Sequence, residues 1–305
     1  MNPFKDITLQ DKDTITAYTM KSHRRNCDLS FSNLCSWRFL YNTQFAIIDD
    51  FLVFKFWAGG ELAYMMPVGK GDLKKVVDDL MKDARQTNEP FCMLGVCTCM
   101  REDLEAILPG HFTFTADRDY ADYIYLRSDL STLKGKKYQS KRNHINKFRN
   151  TYPNHEYTPI TPDKIQECME LEAKWCKAND CDKQEGTGNE RQALTYALEH
   201  FEELGLTGGI LYVDGKIVAF TFGMPINEET FGVHVEKADT DIDGAYTMIN
   251  YEFANRIPEQ YVYINREEDL GLEGLRKAKL SYHPETILEK FMVCLKEQPV
   301  ETFKW

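Results

Sequence analysis

Along residues 44–57, QFAIIDDFLVFKFW, apolar and polar positions alternate about a two-residue break, which predicts two strands turning at Asp49-Asp50. ELAYMMPV adds a third strand, and SFSNLCSWRFL, Ser30 to Leu40, reads as a helix ahead of them. In 72–86, DLKKVVDDLMKDARQ, the spacing of Leu73, Val76, Val77 and Leu80 predicts an amphipathic helix. FCMLGV follows as an apolar strand, MREDLEAIL as a short helix and YADYIYL as a closing strand. The same order then recurs. Helices are predicted over about 162–178 and 190–204, the first opening on Thr161-Pro162. GGILYVDGKIVAFTFGMP turns at Asp214-Gly215, a strong hairpin signal. TFGVHVEK, a helix from Gly244 to about Arg256, YVYIN, a short helix near 272–279 and a closing strand around FMVCLK complete the second pass.

Helices, three antiparallel strands, helix, strand, helix, strand is the element order of an N-acetyltransferase-like fold. We therefore read an α/β (α+β) chain of two tandem acyl-CoA N-acyltransferase-like (GNAT) domains, residues 1–130 and 131–305, the alternative being one large α+β domain. A length of 305 residues with 43% hydrophobic and 28% charged positions suits two soluble units. The chain has no run of eighteen apolar residues, and MNPFKDITLQDKDT lacks a signal-peptide pattern, so a cytoplasmic protein is expected. Nine cysteines (27, 35, 92, 97, 99, 168, 176, 181 and 294) are then expected to be reduced thiols, and their spacing fits no structural metal. A formal net charge of −11 argues against general nucleic-acid coating but leaves room for a local basic site.

One such site stands between the halves. From Lys134 to Arg149 there are seven Lys or Arg residues and no acid, with Tyr138, Ile145 and Phe148 as an apolar stripe. A linker helix over 134–149 with one basic side is predicted, a cradle for phosphates through Lys136, Lys137, Lys141 and Arg142, or else a solvated face. The densest chemistry lies in 263–284, YINREEDLGLEGLRKAKLSYHP, where a strand runs into Asn265, Arg266, Glu267, Glu268 and Asp269 before Arg276, Lys277 and Lys279. Polar groups crowded at a strand end read as a site, and a surface ion-pair network is the competing reading. Strand alternation in TFGVHVEK puts His234 and Glu236 on one face. Glu236 could act there as a base, or the pair could be satisfied within the core. Asn250 falls on the apolar face of the next helix, and Arg276 and Lys279 share a helical face fit for an oxyanion or for pairing with Glu267, Glu268 or Asp269. Thr240 to Gly244 stands where a coenzyme A pyrophosphate loop would, but its carboxylates lean against that cofactor.

GKKYQSKRNHINKF, HVEKAD, GAYTMINYEFA and INREEDLGLEGLRKAKLSYHP, with SFSNLCSWR near the start, together resemble the C-terminal catalytic domain of phosphatidylglycerol lysyltransferases. That family is built from paired acetyltransferase-like domains, as are the Fem peptidyltransferases. The resemblance implies transfer of an aminoacyl group from aminoacyl-tRNA to an amine or hydroxyl acceptor, a small molecule or a lipid headgroup, with no resident cofactor. It implies Glu236, Asp269 and Lys279 as catalytic groups. His234, Asn250, Asn265, Arg266, Glu267 and Arg276 would position substrate, and the helix 134–149 would meet tRNA or acceptor phosphate. The membrane region that precedes this domain in the lysyltransferases has no counterpart in this sequence, so a soluble acceptor is also open. The rival activities are a coenzyme A-dependent N-acyltransferase and a non-catalytic RNA- or partner-binding protein.

Overall fold

The computed structural model of the chain describes residues 3–178 and 187–296; Cys181 lies outside them. Two mixed sheets carry the fold. In the first, the strands lie in the order Lys5–Asp6, Gln44–Ile48, Phe51–Ala58, Glu61–Tyr64, Cys92–Cys97, Lys290–Leu295, Phe112–Ala116, with Val68–Gly69 beside Phe51–Ala58. In the second the order is Thr286–Leu288, Asp122–Leu126, Tyr263–Asn265, Thr230–Ala238, Lys216–Pro225, Thr207–Val213, His155–Pro159. Both expected hairpins form. Asp49 and Asp50 have φ of 47° and 62°, and Asp214 and Gly215 have 49° and 74°, the double left-handed turn whose twist matches the flanking strands. The helix Leu73–Gln86 buries Val76, Val77, Leu80 and Ala84, and Asp72 caps it by accepting from the Lys75 amide at 3.0 Å.

Two closing strands are corrected. Asp122–Leu126, expected to finish the first half, lies in the second sheet between Thr286–Leu288 and Tyr263–Asn265. Lys290–Leu295, expected to finish the second half, lies in the first sheet between Cys92–Cys97 and Phe112–Ala116. A boundary near 130 therefore does not separate the two sheets. Apolar alternation says that a segment is a strand, but not which sheet receives it. One core cluster also crosses the halves, packing Ile7, Phe31 and Leu52 with Leu194, Phe201 and Phe222. Cys92 and Cys294 face each other where the exchanged strand Lys290–Leu295 pairs with Cys92–Cys97 and are joined as a disulfide, which corrects the expectation of nine reduced thiols.

In the second sheet Thr230–Ala238 and Tyr263–Asn265 run parallel through Gly232 and Asn265, and their pairing ends there. Beyond that point no ladder joins them, and we take the gap between their carboxyl ends as the candidate cleft, the place where open α/β sheets hold ligands. A bulge lies opposite: Phe222 faces Val235 but Gly223 faces Val233, leaving His234 as the extra residue. At Gly223 a Cβ would come within 1.8 Å of the Gly232 carbonyl oxygen, so this close backbone approach requires glycine. The bulge resets alternation. Phe231 and Val233 join the core around the helix Ala245–Ala254, whereas Val235 packs on the core shared between the halves. His234 and Glu236 consequently point to opposite faces, correcting the same-face expectation.

Candidate active site

Glu236 extends beside the helix Ala245–Ala254, which presents Asn250 from its buried face. Asn250 Nδ2 donates to Glu236 Oε2 at 3.2 Å, and Arg266 Nη2 donates to Glu236 Oε1 at 3.0 Å. The Arg266 guanidinium lies 5.0 Å from the Tyr282 ring centre and 5.7 Å from that of Tyr125. Arg266 Nη1 and Asn250 Oδ1 are both buried and have no hydrogen-bond partner. Lys141 enters the same group from the helix Gln139–Thr151. Its Nζ donates to Ser281 Oγ at 2.7 Å and lies 3.8 Å from the Tyr282 ring centre. Burial, reinforced by the Arg266 charge, pushes the Lys141 ammonium down to about 8 although Glu236 pulls the other way.

The loop after Tyr263–Asn265 is held by groups expected to do chemistry. Asp269 is fully buried and accepts from Tyr123 Oη, from Arg276 Nε and Nη2 at 2.8 and 2.7 Å, and from the Gly271 amide at 2.9 Å. Those bonds hold its carboxyl well below the usual carboxylate range against the cost of burial. Asp269, expected as a proton acceptor or acceptor-orienting group, has its lone pairs engaged in anchoring the loop. Arg276 pairs with Asp269 and, at 2.6 Å, with Asp119, the competing ion-pair reading. Lys279 donates to the main-chain carbonyls of Arg266, at 2.5 Å, and Glu268, so it pins the loop rather than facing an oxyanion. Asn265, fully buried, donates to the Arg25 carbonyl and to Asp122 and accepts from the Glu267 amide. These bonds position the loop.

On the opposite face His234 Nε2 lies 2.8 Å from Ser30 Oγ and His234 Nδ1 lies 2.8 Å from Glu267 Oε1, which also accepts from Asn33 Nδ2 at 2.7 Å. Ser30 has no exposed surface, so this Ser-His-Glu row ties the N-terminal segment to the loop instead of offering a nucleophile. Below it Lys290 is enclosed by Asp122 at 2.9 Å, Asp28 at 3.2 Å and Glu268, with the Cys27 thiol 3.8 Å away. Cys27, Asp122 and Glu268 bring three metal-type donors within 4.8 Å of one another, and the Lys290 ammonium is the cation they hold.

The basic helix is largely self-satisfied. Lys137 pairs with Asp129 at 2.9 Å, Arg142 donates to the Leu133 and Gly135 carbonyls, and Lys147 pairs with Asp243 at 2.5 Å. Lys136 stays exposed. Of the four residues expected to cradle phosphate, Lys141 turns inward and Arg142 is engaged with main-chain carbonyls. The sequence held a sign of this: Tyr138, Lys141, Ile145 and Phe148 are spaced three, four and three, so Lys141 occupies a place in the apolar stripe. Tyr125, Asp122 and Lys290 had no such signal, since strand exchange brings them in.

The sequence pattern of the family described as phosphatidylglycerol lysyltransferase, C-terminal, matches residues 19–294. The chain belongs to that family. Its fold agrees with solved structures. A conserved protein of unknown function from Bacteroides thetaiotaomicron is 80% identical, with a TM-score of 0.96 over 97% of this chain and 100% of that one. The C-terminal domain of a putative lysylphosphatidylglycerol synthetase from Agrobacterium fabrum is 12% identical, with a TM-score of 0.69 over 94% and 92% of the two chains. The lysylphosphatidylglycerol synthase structure from Bacillus licheniformis is 17% identical, with a TM-score of 0.65 over 94% and 93%. A tandem GNAT protein from the clavulanic acid biosynthesis pathway shares the arrangement at a TM-score of 0.50, and the tandem GNAT-like fold of this member of the lysyltransferase family stands. An uncharacterised protein of Mycoplasmoides gallisepticum is 24% identical over 173 residues, 56% of this chain and 55% of that protein, so the match spans about half of that relative. Among the described residues no helix is long and apolar enough to cross a membrane.

Proposed function

We propose that the protein transfers an aminoacyl group from aminoacyl-tRNA to an amine or hydroxyl acceptor, a small molecule or a lipid headgroup. Family membership supports the reaction class. The observation that carries the reading to particular residues is the pair of buried atoms without partners, Arg266 Nη1 and Asn250 Oδ1, on either side of Glu236. A buried donor and a buried acceptor left unmade cost roughly 1–3 kcal/mol each, and a ligand supplying both complements recovers it. An α-aminoacyl ester does so. Its carbonyl oxygen accepts from Arg266, and its α-ammonium donates to Asn250 beside the Glu236 carboxylate. Attack by the acceptor forms the new C–N or C–O bond, Arg266 stabilises the oxyanion, and collapse expels the ribose oxygen of the tRNA terminus. Lys136, exposed just ahead of the basic helix, would meet donor phosphate.

Transfer of labelled amino acid from each charged tRNA to mixtures of amines, hydroxyl compounds and lipids tests the reading. No transfer from any of them, together with tight calorimetric binding of acetyl-coenzyme A, would replace it with the acyltransferase reading. Asp241 and Asp243, in the turn ahead of Gly244, favour the transfer reading because carboxylates there disfavour a pyrophosphate.

A further inference from the structure

We propose that Lys141 is the proton acceptor for the attacking group in this cleft, a role that rests on the transfer reaction proposed above. A lysine on a basic helix is ordinarily a surface contact for phosphate. Here the stripe that buries Tyr138, Ile145 and Phe148 turns Lys141 inward, past the end of the helix Glu273–Leu280, onto Ser281 and the face of Tyr282. The Arg266 guanidinium lies against the same Tyr282 ring, and the charges of Arg266 and Glu236 both act on the amine.

The groups around the amine come from four elements. Glu236 stands on the strand Thr230–Ala238, Arg266 on the loop after Tyr263–Asn265, Asn250 on the helix Ala245–Ala254, and Ser281 and Tyr282 follow the helix Glu273–Leu280. On its own helix, Arg142 turns to the Leu133 and Gly135 carbonyls, and Lys137, just before it, turns to Asp129. The charges acting on Lys141 are thus one cation, Arg266, and one carboxylate already paired with that cation. Tyr282 is itself pushed up to about 12 by burial, so it stays a neutral phenol. With its ammonium lowered to about 8, Lys141 is about a quarter neutral at pH 7.5, against about a tenth of a per cent for an ordinary lysine.

The neutral amine removes the proton from the acceptor's N–H or O–H as that atom bonds to the ester carbon. The ester C–O bond then breaks, and the proton passes from Lys141 to the departing ribose oxygen. Ser281 Oγ, which donates to the Ala278 carbonyl at 2.6 Å, accepts one N–H of Lys141.

Single-turnover transfer by the full chain, from pH 6 to 10, should rise with an inflection near 8. Lys141→Arg keeps the charge and the reach but not the ability to lose a proton. It should bind charged tRNA as the wild type does, lose transfer by about 10²–10³-fold, and lose the inflection. A Lys141→Arg enzyme with the wild-type rate and profile overturns the proposal. So does a variant weakened only in tRNA affinity, with full rate at saturating donor, since that is the phosphate-contact outcome. Titration of ¹³C-methylated Lys141 by NMR reads the amine without any assay, and an inflection above 10 also overturns it. A wild-type protein that transfers nothing, while Lys141 still titrates near 8, removes the reaction and leaves the electrostatics of the cleft intact.

Discussion

Arg266 has one nitrogen on Glu236 and another without a partner, a division of labour that a guanidinium fork permits and a lysine ammonium does not. Arg266→Lys should therefore keep the ion pair with Glu236 while lowering transfer at saturating donor by about 10²-fold. A rate within threefold of wild type would show that the orphan nitrogen has no part in the reaction. Asp122 behaves differently. Burial pushes it up to about 7, with Glu268 and Asp28 adding to the rise and Lys290 opposing it. Its folded value lies above the unfolded value of about 4, so the stability it contributes is complete below that pH and is lost as pH rises through about 7. Denaturant unfolding of the wild type should weaken between pH 5 and pH 8, and the slope should flatten in Asp122→Asn. An equal slope in both proteins would assign the loss to other groups. Glu236 and Arg266 could be picked out from the sequence by their place around a strand end. The inward turn of Lys141 was legible only as spacing, and Asp122 as nothing more than a polar residue at the start of a strand.

At the scale of elements, the loop from Asn265 to Asp269 is held from every side. Glu267 and Leu270 take φ of 58° and 51°, a conformation that side chains with a Cβ adopt at a cost. Asp269, Lys279 and Asn265 fix that conformation through bonds to main chain and to buried side chains. Removing the Asp269 carboxylate leaves Tyr123 and Arg276 facing an empty buried place. Asp269→Ala should accordingly lower unfolding stability by about 3 kcal/mol in urea titrations, and transfer should fall with it because Arg266 loses its mount. Loss of less than about 1 kcal/mol would mean that Lys279 and Asn265 hold the loop without it. The helices and hairpins of this chain were legible because period and turn residues are local properties. The bulge at His234 was not, since it depends on a close approach of Gly223 to Gly232 across two strands.

Across the whole molecule, each sheet contains a strand from the other half of the sequence. A piece spanning 1–130 lacks Lys290–Leu295, which separates Cys92–Cys97 from Phe112–Ala116. The complementary piece, 131–305, lacks Asp122–Leu126 between Thr286–Leu288 and Tyr263–Asn265. Neither piece should fold alone, and co-expressed pieces should associate into a native-like dimer of fragments. Circular dichroism and amide dispersion would check this, and a cooperative melt by either piece alone would contradict it. Because the exchange also delivers Asp122 and Lys290 to the space beneath the loop, the N-terminal half takes part in shaping the site.

By itself the sequence determined most of the longer elements, the tandem order and the family, because these rest on local periodicity, turn chemistry and long contiguous motifs. Tertiary structure decided which charged residues are free to act. Ion pairing and burial depend on what lies across a gap in space: Tyr123 and Asp119 for Asp269 and Arg276, the Arg266 and Glu268 carbonyls for Lys279, and Ser281 and Tyr282 for Lys141. That is why Asp269, Arg276 and Lys279 hold the loop in place, while Lys141 leaves the basic surface for the cleft.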